Sequence, residues 1–154
     1  MSASDRARTP RRPSRFGWMW SIFTVRWVLG LIFFMAGWWK CFGISPVQHA
    51  EMFFLEQFQE TWIPVWWLWG LGVTIPVVEL LAGAMVCLGL ARRPAYIALG
   101  AILVFVTYGH LLIQPLFDTT SHVFPRLTLL VFVMAAPRRY DVLSVDHLIA
   151  FLRR

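Results

Sequence analysis

Gly70-Leu-Gly-Val-Thr-Ile-Pro-Val-Val-Glu-Leu-Leu-Ala-Gly-Ala-Met85 is an apolar run interrupted by one carboxylate, Glu79. Extended to residues 65–90, it exceeds the roughly 20 residues that cross a hydrocarbon core of about 30 Å. An acid at that depth costs about 3 kcal/mol unless it is protonated or paired. The run is therefore a membrane span whose acid needs a partner. Pro76, one turn before Glu79, cannot donate to the carbonyl of Gly72, which leaves that oxygen open to another donor.

Outward from this stretch the rest of the chain repeats the pattern. Of 154 residues, 58% are apolar and only 14% charged, against about a quarter charged in soluble domains. The reading is an all-α integral membrane four-helix bundle with spans at about 18–39, 65–90, 95–116 and 122–136. The fourth is short. Residues 1–17 form a basic flexible tail. The apolar segment after them is too long for a secretory signal and is read as a retained anchor. Ser45-Pro-Val-Gln opens an interfacial helix over about 46–60 with an N-cap and a first-turn proline. Residues 138–154 form a second tail carrying a C-terminal amphipathic helix, with Val145, Leu148, Ile149 and Leu152 on one face.

Arginine and lysine sort by side. Five lie before the first span, two between the second and third, and four after the fourth, whereas Lys40 and Arg126 stand alone at the other end. By the positive-inside rule both termini are cytoplasmic. The same sorting accounts for the net charge of +6 without nucleic acid, which is not expected as a partner. Cys41 and Cys87 fall near opposite ends of the bundle, too far apart for a disulfide within one chain, which argues against a thiol-based quinone reductase.

Two polar groups stand out. Counting from the inner ends of their spans puts Arg26 about eight residues deep and Glu79 about eleven, so an Arg26–Glu79 ion pair is expected. Such a pair either fixes helix register or serves a ligand or a proton. Toward the outer end Lys40, His110, Gln114, His122 and Arg126 gather, with Asp118 and Glu51 near. His110 and Gln114 lie four apart on one helix and are expected to share a pocket. This group suits an anionic or carbonyl-bearing head group, with His110 as a proton carrier; alternatively Lys40 and Arg126 snorkel to lipid phosphates. The histidines show no metal-ligand spacing, so no metal is assigned. Gly30 and Gly37, seven apart, predict a close helix neighbour.

Arg26-x3-Gly30-x2-Phe33-x3-Gly37-x2-Lys40 and Glu79-x3-Gly83-x5-Gly89-Leu, followed by a short basic turn, resemble the DoxX family of small four-helix membrane proteins over residues 25–137. The resemblance implies a bacterial inner-membrane protein, in some members linked to sulfur or thiol oxidation coupled to quinone. It places Arg26, Lys40 and Glu79 at the family's shared polar positions. On this basis Glu79 and His110 are the expected catalytic residues, and Arg26, Lys40, Gln114 and Arg126 the ligand-binding ones. No cofactor is identified in the chain itself; a quinone is the molecule such a site admits. The expected partners are the bilayer and either a soluble redox protein or further copies of the chain. The rival readings are a non-catalytic anchor or assembly factor for a soluble partner, and a small carrier of hydrophobic molecules.

Overall fold

The computed structural model describes residues 14–116 and 119–153, and among these every regular element is helical. Most of the expected basic tail, with Arg6, Arg8, Arg11 and Arg12, and Asp118 of the outer group lie outside the described residues. Helix α1 (Arg15–Trp38) begins within the stretch assigned to that tail, because Ser14 Oγ accepts from the Gly17 N–H at 3.0 Å and caps it.

Helix α1 pairs antiparallel with α3 (Val65–Leu88), the central helix of the bundle. Glycines set this contact. A Cβ on Gly30 would stand 2.8 Å from the Cys87 backbone nitrogen, and one on Gly37 would stand 2.8 Å from the Pro76 carbonyl oxygen. Small residues let the two backbones meet, which is how helices gain packing where lipid removes the hydrophobic driving force. Helix α4 (Arg92–Ile113) follows a tight turn in which Gly89 takes a left-handed conformation at φ 69°. The Leu90 N–H closes that turn on the Met85 carbonyl at 2.9 Å. Leu29, Phe33, Val86, Leu99, Leu130 and Val133 form the shared core.

Among the described residues, three helices are long and apolar enough to cross a membrane. The expected fourth span over 122–136 corresponds to α6 (Phe124–Ala135), a shorter apolar helix preceded by the single turn α5 (Thr119–His122). Pro125 explains the break, since it has no N–H to give the Ser121 carbonyl. Together the pieces reach only about 25 Å at 1.5 Å per residue. Outward-facing Leu31, Met35, Leu81, Ile97 and Val104 are 43–68% exposed. Apolar surface on that scale contacts lipid; the chain is a membrane-embedded helical bundle.

The expected interfacial helix over 46–60 takes a different form. Helix α2 (Pro46–Ala50), capped by Ser45 Oγ, runs into a π-helical turn over Glu51–Leu55 and then an irregular turn. It is tucked against the bundle: Ala50 is wholly buried where Gly72 leaves no side chain, and Phe58 packs on Gly109. This segment is a lid over the end of the bundle opposite the Arg92–Arg93 turn. At the opposite end, residues 138–152 with the terminal helix α7 (Val145–Leu152) fold back over the ends of α1, α3 and α4.

Candidate functional site

The expected Arg26–Glu79 pair is not formed. Glu79, 6% exposed, holds Lys40, whose Nζ stands 2.6 Å from Oε2. Arg26 is fully buried and donates to the carbonyls of Val86 at 2.8 Å, Cys87 at 2.6 Å and Leu143 at 2.6 Å. Its Nε stands 3.6 Å from Asp141. The depth count failed because α1 and α3 do not end in one plane. Arg26 lies beside Gly89, just past the end of α3, so the first turns of α1 extend beyond it and are covered by the C-terminal segment.

Two polar centres therefore exist, one at each end. At the basic end Asp141 also binds Arg92, and Asp146 accepts from the Ala91 N–H at 2.8 Å and from Arg92 Nε at 3.0 Å. Burial opposes ionisation of Asp146, but the hydrogen bonds from Ala91 and Arg92 outweigh it and hold its carboxyl below the usual range. These four charges are a clasp joining the tail to α1 and α4, and sequence reading missed it. Ser144 at an N-cap beside Asp141 was the available signal.

At the other end Lys40 and Glu79 open on a cavity of about 360 Å³ shared with His110, His122 and Arg126. A second cavity of about 540 Å³ adjoins it, with Lys40, Val106, His110 and His122 lining both. The walls of the second are Phe53, Phe54, Phe58, Leu71 and Phe105. Both lie within the size range of small-molecule sites. Gln114 is not among the lining residues of either. Helix α4 stops at Ile113, and Pro115 pushes Gln114 to an extended backbone at φ −129°, which removes it from the face of His110. Arg126 lines the polar cavity and donates to the His122 carbonyl. Glu51 lines neither cavity.

The carbonyl that Pro76 cannot serve has a donor. His49, 4% exposed, places Nδ1 2.7 Å from the Gly72 oxygen. A carbonyl only accepts, so Nδ1 carries the proton and Nε2 is left as an acceptor in the neutral ring. Burial pushes the His49 pKa down, the Gly72 bond opposes this, and the charge of Lys40 adds to the lowering. His49 lines the larger cavity in that neutral form.

The pairing makes a testable contrast. Lys40→Ala and Glu79→Ala are expected to be non-additive in unfolding free energy, with a coupling of about 1 kcal/mol. Arg26→Ala and Glu79→Ala should add within about 0.5 kcal/mol, as sites without shared partners do. Unfolding of the three single and two double variants in one detergent measures both; coupling of Glu79 to Arg26 instead of Lys40 would overturn the assignment.

A family model described as Methylamine utilisation protein MauE matches residues 18–123. No curated protein and no solved structure matches the chain. The family match overturns the DoxX resemblance. The glycines that carried that resemblance serve close contact of α1 with α3, a packing requirement that is not peculiar to one family. Arg26, Lys40, Glu79, His110 and His122 fall inside the matched residues, whereas Arg126 and the acids of the clasp fall outside.

Proposed function

The chain belongs to the family of methylamine utilisation protein MauE, and from that premise we propose that it is the membrane component of a redox system connected with methylamine utilisation. In this reading it sits in a bacterial inner membrane with both termini cytoplasmic, as the distribution of arginine supports. Its outer pocket holds a small amphiphilic molecule of the quinone type. The observation that carries the proposal is the buried Lys40–Glu79 pair where a polar cavity meets an aromatic one.

The chemistry of the walls supports this division. Lys40 has three donor positions and Glu79 occupies one. The remaining donors suit a carbonyl head group, while Phe53, Phe54 and Phe58 suit an apolar ring or tail. Glu79 aims Lys40, Arg126 lines the polar cavity, and His110 relays protons from water to the head group one after the other. Reducing a bound quinone to the quinol takes two electrons and two protons. The electrons come from a soluble redox partner in this reading.

The test is mass spectrometry of small molecules extracted from gently purified protein. Wild type should carry quinone, and Glu79→Gln at matched folding should retain roughly ten- to a hundredfold less, as expected for loss of a charge-assisted hydrogen-bond network. Bulk phospholipid alone in both would overturn the reading. The exposed Leu148, Phe151 and Leu152 of α7 favour a second reading, an anchor for a soluble partner. That reading gains if one soluble protein copurifies in fixed ratio with no quinone present.

A further inference from the structure

The basic end carries a cavity of about 430 Å³ between α1, α4, α6 and the turn after α6. It is separate from the outer pocket and shares none of its residues. Arg92, Arg93 and Arg138 line it together with Ile97, Val133, Met134 and the clasp acid Asp141.

The charges there do not balance. Arg26 and Arg92 face Asp141 and Asp146, two cations against two anions. That leaves Arg93 and Arg138, both exposed, with no carboxylate partner among the described residues. Burial of the clasp acids removes them as alternatives, since Asp141 is 5% exposed and already shared by two guanidinium groups. Two uncompensated cations thus flank one opening.

The apolar part has a matching register. Ile97 is four residues into α4 from Arg93, about one turn deeper, and Met134, in the last turn of α6, lines the same cavity as Arg138 of the short 3-10 turn that follows. Ile97 is 66% and Met134 52% exposed. This is the profile of a molecule with an anionic head and a hydrocarbon body lying parallel to the helices. A free anion would have no use for Ile97 and Met134, and a soluble peptide would not reach the hydrocarbon depth at which they sit.

We propose that this cavity is a binding site for an anionic phospholipid, whose phosphate lies between Arg93 and Arg138 and whose first acyl carbons run along Ile97 and Met134. Basic pockets between spans recognise lipid head groups in this way. Because Arg92 belongs to both the clasp and the cavity wall, an occupied site also steadies the docked C-terminal segment.

Native mass spectrometry of the full chain in detergent, with phosphatidylglycerol or phosphatidylcholine added, tests this. Wild type should retain phosphatidylglycerol preferentially, and Arg93→Gln/Arg138→Gln should weaken that retention roughly thirtyfold, the worth of two surface charges on an anionic lipid. Arg139→Gln/Arg153→Gln, at the same end but outside the cavity, should leave it unchanged. Both changed pairs are exposed, and the melting temperature of each variant without lipid confirms that folding is intact. Equal retention of the two lipids, or undiminished phosphatidylglycerol in Arg93→Gln/Arg138→Gln, overturns the site. Displacement of the lipid by inorganic phosphate at equal concentration overturns the lipid as its occupant.

Discussion

Arg26→Ala is expected to destabilise the detergent-purified protein by about 3–5 kcal/mol, the usual cost of removing one partner from a buried ion pair. It should also expose residues 138–152 to protease before the rest of the chain. Arg26 is fully buried and gives hydrogen bonds to three carbonyls from two separate parts of the chain. Its loss strands the oxygens of Cys87 and Leu143, leaves Val86 with the Gly89 N–H only, and leaves the carboxylate of Asp141 with Arg92 alone. Arg26→Lys should recover little, because a single ammonium cannot span Val86, Cys87 and Leu143 as a guanidinium does. Limited proteolysis alongside thermal unfolding separates tail release from general unfolding. A tail that stays protected while stability falls would show that Asp146 holds it without Arg26.

Gly37→Ala is the second large effect. The added methyl would stand 2.8 Å from both the Leu80 Cα and the Pro76 carbonyl oxygen, distances that backbone atoms cannot relieve by rotating a side chain. Helices α1 and α3 must move apart, at a cost of about 1–3 kcal/mol for overpacking. The shift falls three residues from Lys40 and against Leu80, the neighbour of Glu79, so retention of the proposed quinone in the Lys40–Glu79 pocket should fall with it. Gly70→Ala is the control. Nothing lies within 4 Å of a Cβ there, and the better helix propensity of alanine should raise stability by about 1 kcal/mol. Equal behaviour of the two variants in thermal unfolding would remove the tight contact at Gly37.

Much of the bundle was legible because lipid imposes strong rules. Runs of apolar residues marked the three long helices, and Ser45 with Pro46 marked the start of α2. The carbonyl of Gly72, freed by Pro76, was also readable, though its donor was not: nothing local to His49 says that its ring will meet a residue 23 positions away. The register of α1 on α3 was available and misused. Setting Gly30 between Gly83 and Cys87, where the backbones touch, places Arg26 near Gly89 and brings Lys40 to about one turn from Glu79. Counting depth from span ends discards that information, since helices in one bundle need not begin at one level. The tail clasp was the least legible part. Asp141 and Asp146 look like ordinary surface acids, and only the folded chain returns them to Arg26 and Arg92.

The clasp also orders the protein in time. Leu143, which accepts from Arg26, lies 117 residues later in the chain, and synthesis at about 5–20 residues per second separates the two by roughly 6 to 23 s. The first helix therefore enters the bilayer with its arginine unmatched. When the second long helix arrives, the carbonyls of Val86 and Cys87 become its first fixed partners, well before any acid does. The Asp141 carboxylate and the Leu143 carbonyl follow only after α6. A chain lacking them would pair α1 with α3 through the same glycines, yet leave the guanidinium of Arg26 with carbonyl partners and no counter-charge.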